Sequence, residues 1–161
     1  VKKLFLVTLI SALFTVAAVA APKTLVIDLG DSEVKTIEIV KNPYGVNYQN
    51  KTPAVFTKYF KNNMPVPGDT IEVHYNFTSD VNIPGLIMAV IDNSPEANYW
   101  LEISKEYKTL GNIKAGVPNK GVLVYKVVAK PVSEVTVQLM YDDKFDSKLT
   151  LQKAGVTTGK K

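Results

Sequence analysis

Residues 70–78 read Thr-Ile-Glu-Val-His-Tyr-Asn-Phe-Thr. Ile71, Val73, Tyr75 and Phe77 alternate without a break with Thr70, Glu72, His74, Asn76 and Thr78. A period of two gathers the first set on one face only if the chain is extended, whereas a helix would scatter the same four residues around its circumference. The stretch is therefore predicted to be a strand with one buried face. Pro67-Gly68-Asp69 supplies the turn before it. Further on, Leu86 to Ile91 is apolar at every position, so the run from Pro84 to Asp92 reads as a central strand covered on both sides.

The rest of the chain repeats this pattern more faintly. Thr24 to Leu29, Glu33 to Val40, Tyr99 to Ser104, Val122 to Ala129, Val135 to Asp142 and Leu149 to Gln152 are short apolar or alternating runs between Gly, Pro, Asn and Asp. Gly30-Asp31 reads as a hairpin turn joining the first two runs. Ala54 to Phe60 fits one helical turn as well as a strand. About nine or ten short strands with regular turn signals predict an all-β chain, a single antiparallel β-sandwich of the jelly-roll kind.

The first residues address the protein rather than fold it. Lys2 and Lys3 precede a mostly apolar run, Leu4 to Val16, and Ala18-Val19-Ala20 forms a small-residue cleavage site. This three-part pattern predicts a signal peptide over residues 1–20 and a secreted or periplasmic bacterial protein without a membrane span after processing. The β-sandwich domain is expected over 21–156, and 157–161 as a flexible polar tail. The chain has no cysteine, so neither disulfides nor thiolate metal sites are available to the exported form.

Charge narrows the function classes. The formal charge is +4, of which Lys2 and Lys3 supply two, and every one of the 19 basic residues is lysine. A weak net charge without the bidentate arginine fork argues against a nucleic-acid partner. Catalysis is equally hard to assemble. His74 is the only histidine, it falls on the polar face of its strand, and no Gly-x-Ser-x-Gly turn is present. Glu72, Glu96, Glu102 and Glu106 have no spacing that singles out a carboxylate pair. No enzyme activity and no cofactor are expected. Asp142, Asp143 and Asp146 cluster at a strand end and offer the hard oxygen ligands of structural calcium, without the EF-hand spacing.

The aromatic residues beside polar turns carry more information. Tyr44, Asn47, Tyr48 and Gln49 place two tyrosines and two amides together. Asp92-Asn93-Ser94-Pro95 is a polar turn followed by Tyr99 and Trp100, the only tryptophan. Alternation puts Tyr99, Leu101 and Ile103 on a core face and Trp100 with Glu102 on the other. An aromatic ring beside a carboxylate suits a sugar: the apolar C–H face of a pyranose lies on the ring and the carboxylate binds hydroxyls.

The stretch Pro67 to Ser104, with Gly68-Asp69, the turn Thr78-Ser79-Asp80, the apolar strand Leu86 to Ile91, the acidic turn Asp92-Asn93-Ser94 and then Trp100, resembles carbohydrate-binding modules of the galactose-binding-like jelly-roll type. The resemblance implies a non-catalytic domain that binds a carbohydrate or cell-surface glycan. The residues expected to touch it are Trp100, Glu102, Tyr44, Asn47, Tyr48, Gln49 and His74. The alternative is a structural or adhesive envelope protein that binds another envelope protein through a sheet edge or an aromatic patch.

Overall fold

The computed structural model describes residues 21–39, 50–51, 56–58, 63–141 and 147–155. The signal-peptide region, the polar tail, the Tyr44–Gln49 cluster and Asp142, Asp143 and Asp146 lie outside the described residues. Within them the chain is all-β. Eleven strands run in the order β1 (Thr24–Asp28), β2 (Thr36–Ile39), β3 (Asn50–Lys51), β4 (Phe56–Lys58), β5 (Thr70–Ser79), β6 (Ile87–Asp92), β7 (Leu101–Glu102), β8 (Lys108–Thr109), β9 (Asn119–Lys126), β10 (Val135–Tyr141) and β11 (Ser147–Leu151). Two short 3-10 turns, Leu29–Asp31 and Pro95–Ala97, are the only helical segments among the described residues.

The strands form two sheets. In the first, β5 is the spine. It pairs with β9 on one edge, and on the other with β1 over Thr70–His74 and with β11 over Phe77–Ser79. β11 then pairs with β2. β1 and β11 thus share one edge of β5, and this sheet is curled. In the second sheet, β10 lies between β6 and the short strands β3 and β4, and the far edge of β6 carries β7 and β8.

The alternation in β5 is realised in the main, with Tyr75 only half-buried against the core and His74 buried on the opposite face. Ile71, Val73 and Phe77 are fully buried. They join Leu25 and Ile27 of β1, Tyr125 of β9, Leu149 of β11, Met88 and Val90 of β6 and Val135, Val137 and Leu139 of β10 in one cluster fed by both sheets. Each such side chain contributes about 1.5–3 kcal/mol by leaving water. The two-faced run in β6 also has its physical counterpart. Met88 and Val90 point into that cluster, while Ala89 and Ile91 form a second one with Met140 on the other face of the sheet. The Tyr125 hydroxyl, deep in the core, donates to the Met88 carbonyl at 2.8 Å and ties the two sheets together. A buried hydroxyl needs such a partner.

Four expectations change. The first two strands do not form a hairpin, and not every pairing is antiparallel: β1 runs parallel to β5 and β2 pairs with β11. Gly30 and Asp31 lie in a 3-10 turn capped by the Asp28 carboxylate, which accepts from Gly30 N–H at 2.9 Å. A Cβ at Gly30 would collide with the Gln152 and Lys153 backbone. Gly30 is thus needed because the C-terminal strand passes there, not because of a hairpin. Second, His74 is not exposed but buried, as described below. Third, the strand expected over Val122 to Ala129 spans Asn119–Lys126, because Val128 and Ala129 N–H turn away to the Ile103 carbonyl. Fourth, the strand expected over Tyr99 to Ser104 shrinks to Leu101–Glu102.

Candidate functional site

The loop that carries Trp100 is built on Asp92. This residue closes β6 with no solvent exposure. Its carboxylate accepts backbone N–H bonds from Ser94 at 2.9 Å, Val132 at 2.6 Å, Ser133 at 2.8 Å and Glu134 at 3.4 Å. Burial on its own would raise the Asp92 pKa, but the hydrogen bonds from Ser94, Ser133 and Glu134 outweigh it and hold the group below the ordinary carboxylate value. Asp92 therefore stays charged and clamps two loops together.

From Asp92 the chain enters a tight turn. The Ser94 hydroxyl caps Ala97 N–H at 3.3 Å with Pro95 in the first turn, the usual chemistry of a helical start. Asn98 and Tyr99 then adopt positive φ, 51° and 61°. Asparagine tolerates this region, but a bulky tyrosine rarely does. The turn holds it there through Tyr99 N–H to the Ser94 carbonyl at 2.9 Å. As a result Tyr99 does not join the core face that alternation assigns to it, and it is 62% exposed. Alternation resumes at the next residue. Ile103 packs in the main core and Trp100 packs against Ala89, Ile91 and Met140 on the opposite face. Trp100 is half-buried, with one side on that cluster.

Glu102 pairs in register with Ile91 and shares the face of Trp100. Tyr107, just before β8 on the same edge of β6, completes the group. Its hydroxyl donates to Glu102 Oε1, and it also bonds the Trp100 side chain. Burial first, and then the hydrogen bond and charge of Glu102, push the Tyr107 hydroxyl above its ordinary pKa, so it remains a donor at neutral pH. Tyr107 is 44% exposed. The site is thus the Tyr107 phenol and the half-buried Trp100 indole beside the Glu102 carboxylate, with the exposed Tyr99 ring next to Trp100 in the chain. Sequence reasoning passed over Tyr107, which reaches Glu102 only because β7 and β8 dock on one edge. It also placed Tyr99 inward, although Ser94-Pro95 followed by Asn98 was a readable signal of a capped turn ending in a left-handed residue.

His74 is elsewhere. It lies on β5 in the first sheet and is 3% exposed, with Nε2 at 3.2 Å from Glu72 Oε2. It alternates with Val73 and so points away from the shared core, as Trp100 does from the other sheet. The two residues cannot meet in one site. Among the described residues no group of three or more His, Asp or Glu side chains could hold a metal ion. A groove of about 600 Å³ lies between the loops after β5 and before β9, lined by Asn82, Ile83, Pro84, Asn112, Ile113 and Lys114 among others. It carries amides but no aromatic ring, and nothing in the local sequence pattern pointed to it. No family model, curated protein or solved structure matches this chain.

Proposed function

We propose that this chain is an exported, non-catalytic carbohydrate-binding domain with a β-sandwich fold of the jelly-roll kind, and that the sugar sits on Tyr99, Trp100 and Tyr107. The sandwich reading is supported by the single core cluster that both sheets feed. The function rests on one observation: Tyr107 bonds both the Glu102 carboxylate and the Trp100 side chain on one edge of the second sheet, and a bulky Tyr99 beside Trp100 is held exposed at positive φ. Residues held in sparsely populated backbone conformations cost of order 1–3 kcal/mol and concentrate at ligand sites. The exposed ring of Tyr99 and the half-exposed indole of Trp100 give stacking surface for C–H faces, and Glu102 Oε2 accepts from sugar hydroxyls while Oε1 is held by Tyr107. The ligand is a carbohydrate or cell-surface glycan.

The test is a glycan array followed by calorimetric titration of the bound glycan. Trp100→Ala and Tyr99→Ala are expected to weaken binding at least about tenfold, the loss of roughly 1.4 kcal/mol. Because Trp100 also packs on Ala89, Ile91 and Met140, its removal lowers stability as well, whereas Tyr99→Ala leaves the melt unchanged or raised. An array without a single bound glycan, or a Tyr99→Ala variant that binds as the parent does, defeats the proposal.

A further inference from the structure

Sheet edges expose unpaired backbone groups, and among the described strands β9 is such an edge. It pairs with β5 along its full length and with no other described strand. Val127, just beyond it, donates to the Asp69 carbonyl at 2.9 Å and accepts from Gly68 N–H at 3.0 Å. Its polar groups therefore face β5. Strand alternation carries this back along the chain: odd-numbered residues turn their N–H and C=O toward β5, and Lys120, Val122, Val124 and Lys126 turn theirs outward. The same four residues have exposed side chains, with Val122 39% and Val124 49% accessible. Neither lysine forms an ion pair with a described residue.

We infer that the β9 edge accepts an added strand from a protein partner: an extended segment with carboxylates six residues apart flanking two β-branched residues at alternate positions. Backbone pairing supplies the contact, Val122 and Val124 take the apolar side chains, and Lys120 and Lys126 take the acidic ends. A second copy of this chain is a poor occupant. Fully overlapped antiparallel pairing of two β9 strands sets Lys120 against Lys126 at both ends, and like charges directly opposite one another are destabilising. Edge lysines deter pairing between like sheets for this reason, and the same charges favour an acidic strand. The inference is independent of the glycan site, which lies on the other sheet.

The experiment uses the blocked heptapeptide Glu-Thr-Val-Thr-Val-Thr-Glu and its counterpart with lysine at both ends, titrated against the protein by calorimetry and by amide NMR shifts. The acidic peptide is expected to bind, with the largest shifts at residues 120–126, and the basic one not to bind. In the double variant Lys120→Glu/Lys126→Glu the preference reverses, with the acidic peptide weakened at least about tenfold. Val124→Pro removes one outward N–H without touching the β5 ladder and abolishes binding while the melt stays cooperative. If that variant does not fold, the lysine pair carries the test. Equal binding of both peptides, no binding of either, or a charge-reversed variant with unchanged preference overturns the inference. So does dimerisation of the protein that the peptide cannot compete, or capture by phosphatidylglycerol vesicles with no peptide binding.

Discussion

Asp92→Asn removes a charge while keeping the shape of the side chain. Oδ2 accepts from Val132, Ser133 and Glu134 N–H, and Oδ1 from Ser94 N–H. An amide has one oxygen for these two jobs. With that oxygen turned to the three N–H groups, its NH₂ faces the Ser94 N–H, donor against donor. One buried N–H is then unsatisfied at about 1–3 kcal/mol, and the remaining bonds lose their charge assistance. The expected loss is about 2–4 kcal/mol, a large share of the stability of an ordinary domain. The assay is urea denaturation at neutral pH and through the acid range. The folded pKa of Asp92 is below its unfolded value. Its contribution is therefore fully present above the ordinary carboxylate pKa of about 4 and is lost as pH falls through the folded value. The variant should lie below the parent at pH 7 and converge on it in strong acid. It should keep a residual acid dependence from Asp69, whose pKa is also lowered, chiefly by Lys23 and Val66 N–H bonds. Since Tyr99 and Trp100 follow on the loop that Asp92 anchors, the proposed glycan binding should weaken too. A variant within about 0.5 kcal/mol of the parent at pH 7, or one that does not converge in acid, would refute the clamp.

Three further outcomes follow from packing. Met88→Ala, in the centre of the shared core, should cost about 2–5 kcal/mol by denaturation. Gly30→Ala should be more damaging than its size suggests, because its methyl meets backbone of the Gln152–Lys153 segment that cannot swing aside. The readout is loss of amide protection in both β1 and β11. Gly121→Ala collides with the Tyr75 ring that lies across it and should cost about 1–3 kcal/mol. The hydroxyl is the nearest atom, so Tyr75→Phe should relieve part of that cost, and a double-mutant cycle with no coupling would show that the two do not touch.

What the sequence by itself determined is what period and local chemistry encode. The buried face of β5 and the two-sided burial of β6 are legible because side-chain alternation is a property of each strand alone. The shared face of Trp100 and Glu102 is legible for the same reason, and it holds for as long as the chain stays extended. It fails at Tyr99, where a capped turn and two left-handed residues reset the phase. Pairing was decided only by the tertiary structure. An alternating strand looks the same whether its neighbour runs parallel or antiparallel, so nothing local says that β1 lies beside β5 rather than β2. Burial of His74 likewise depends on what packs over a face that its own strand marks as polar. The site shows the same division. Trp100 and Glu102 stand two residues apart and announce themselves, whereas Tyr107 reaches them only because β7 and β8 dock side by side on β6, and the Asp92 clamp closes with N–H groups some forty residues away. Such contacts are made by the arrangement of strands: Tyr107 and Glu102 are only five residues apart, but no local period brings them together, and the Asp92 partners lie beyond any short window of sequence.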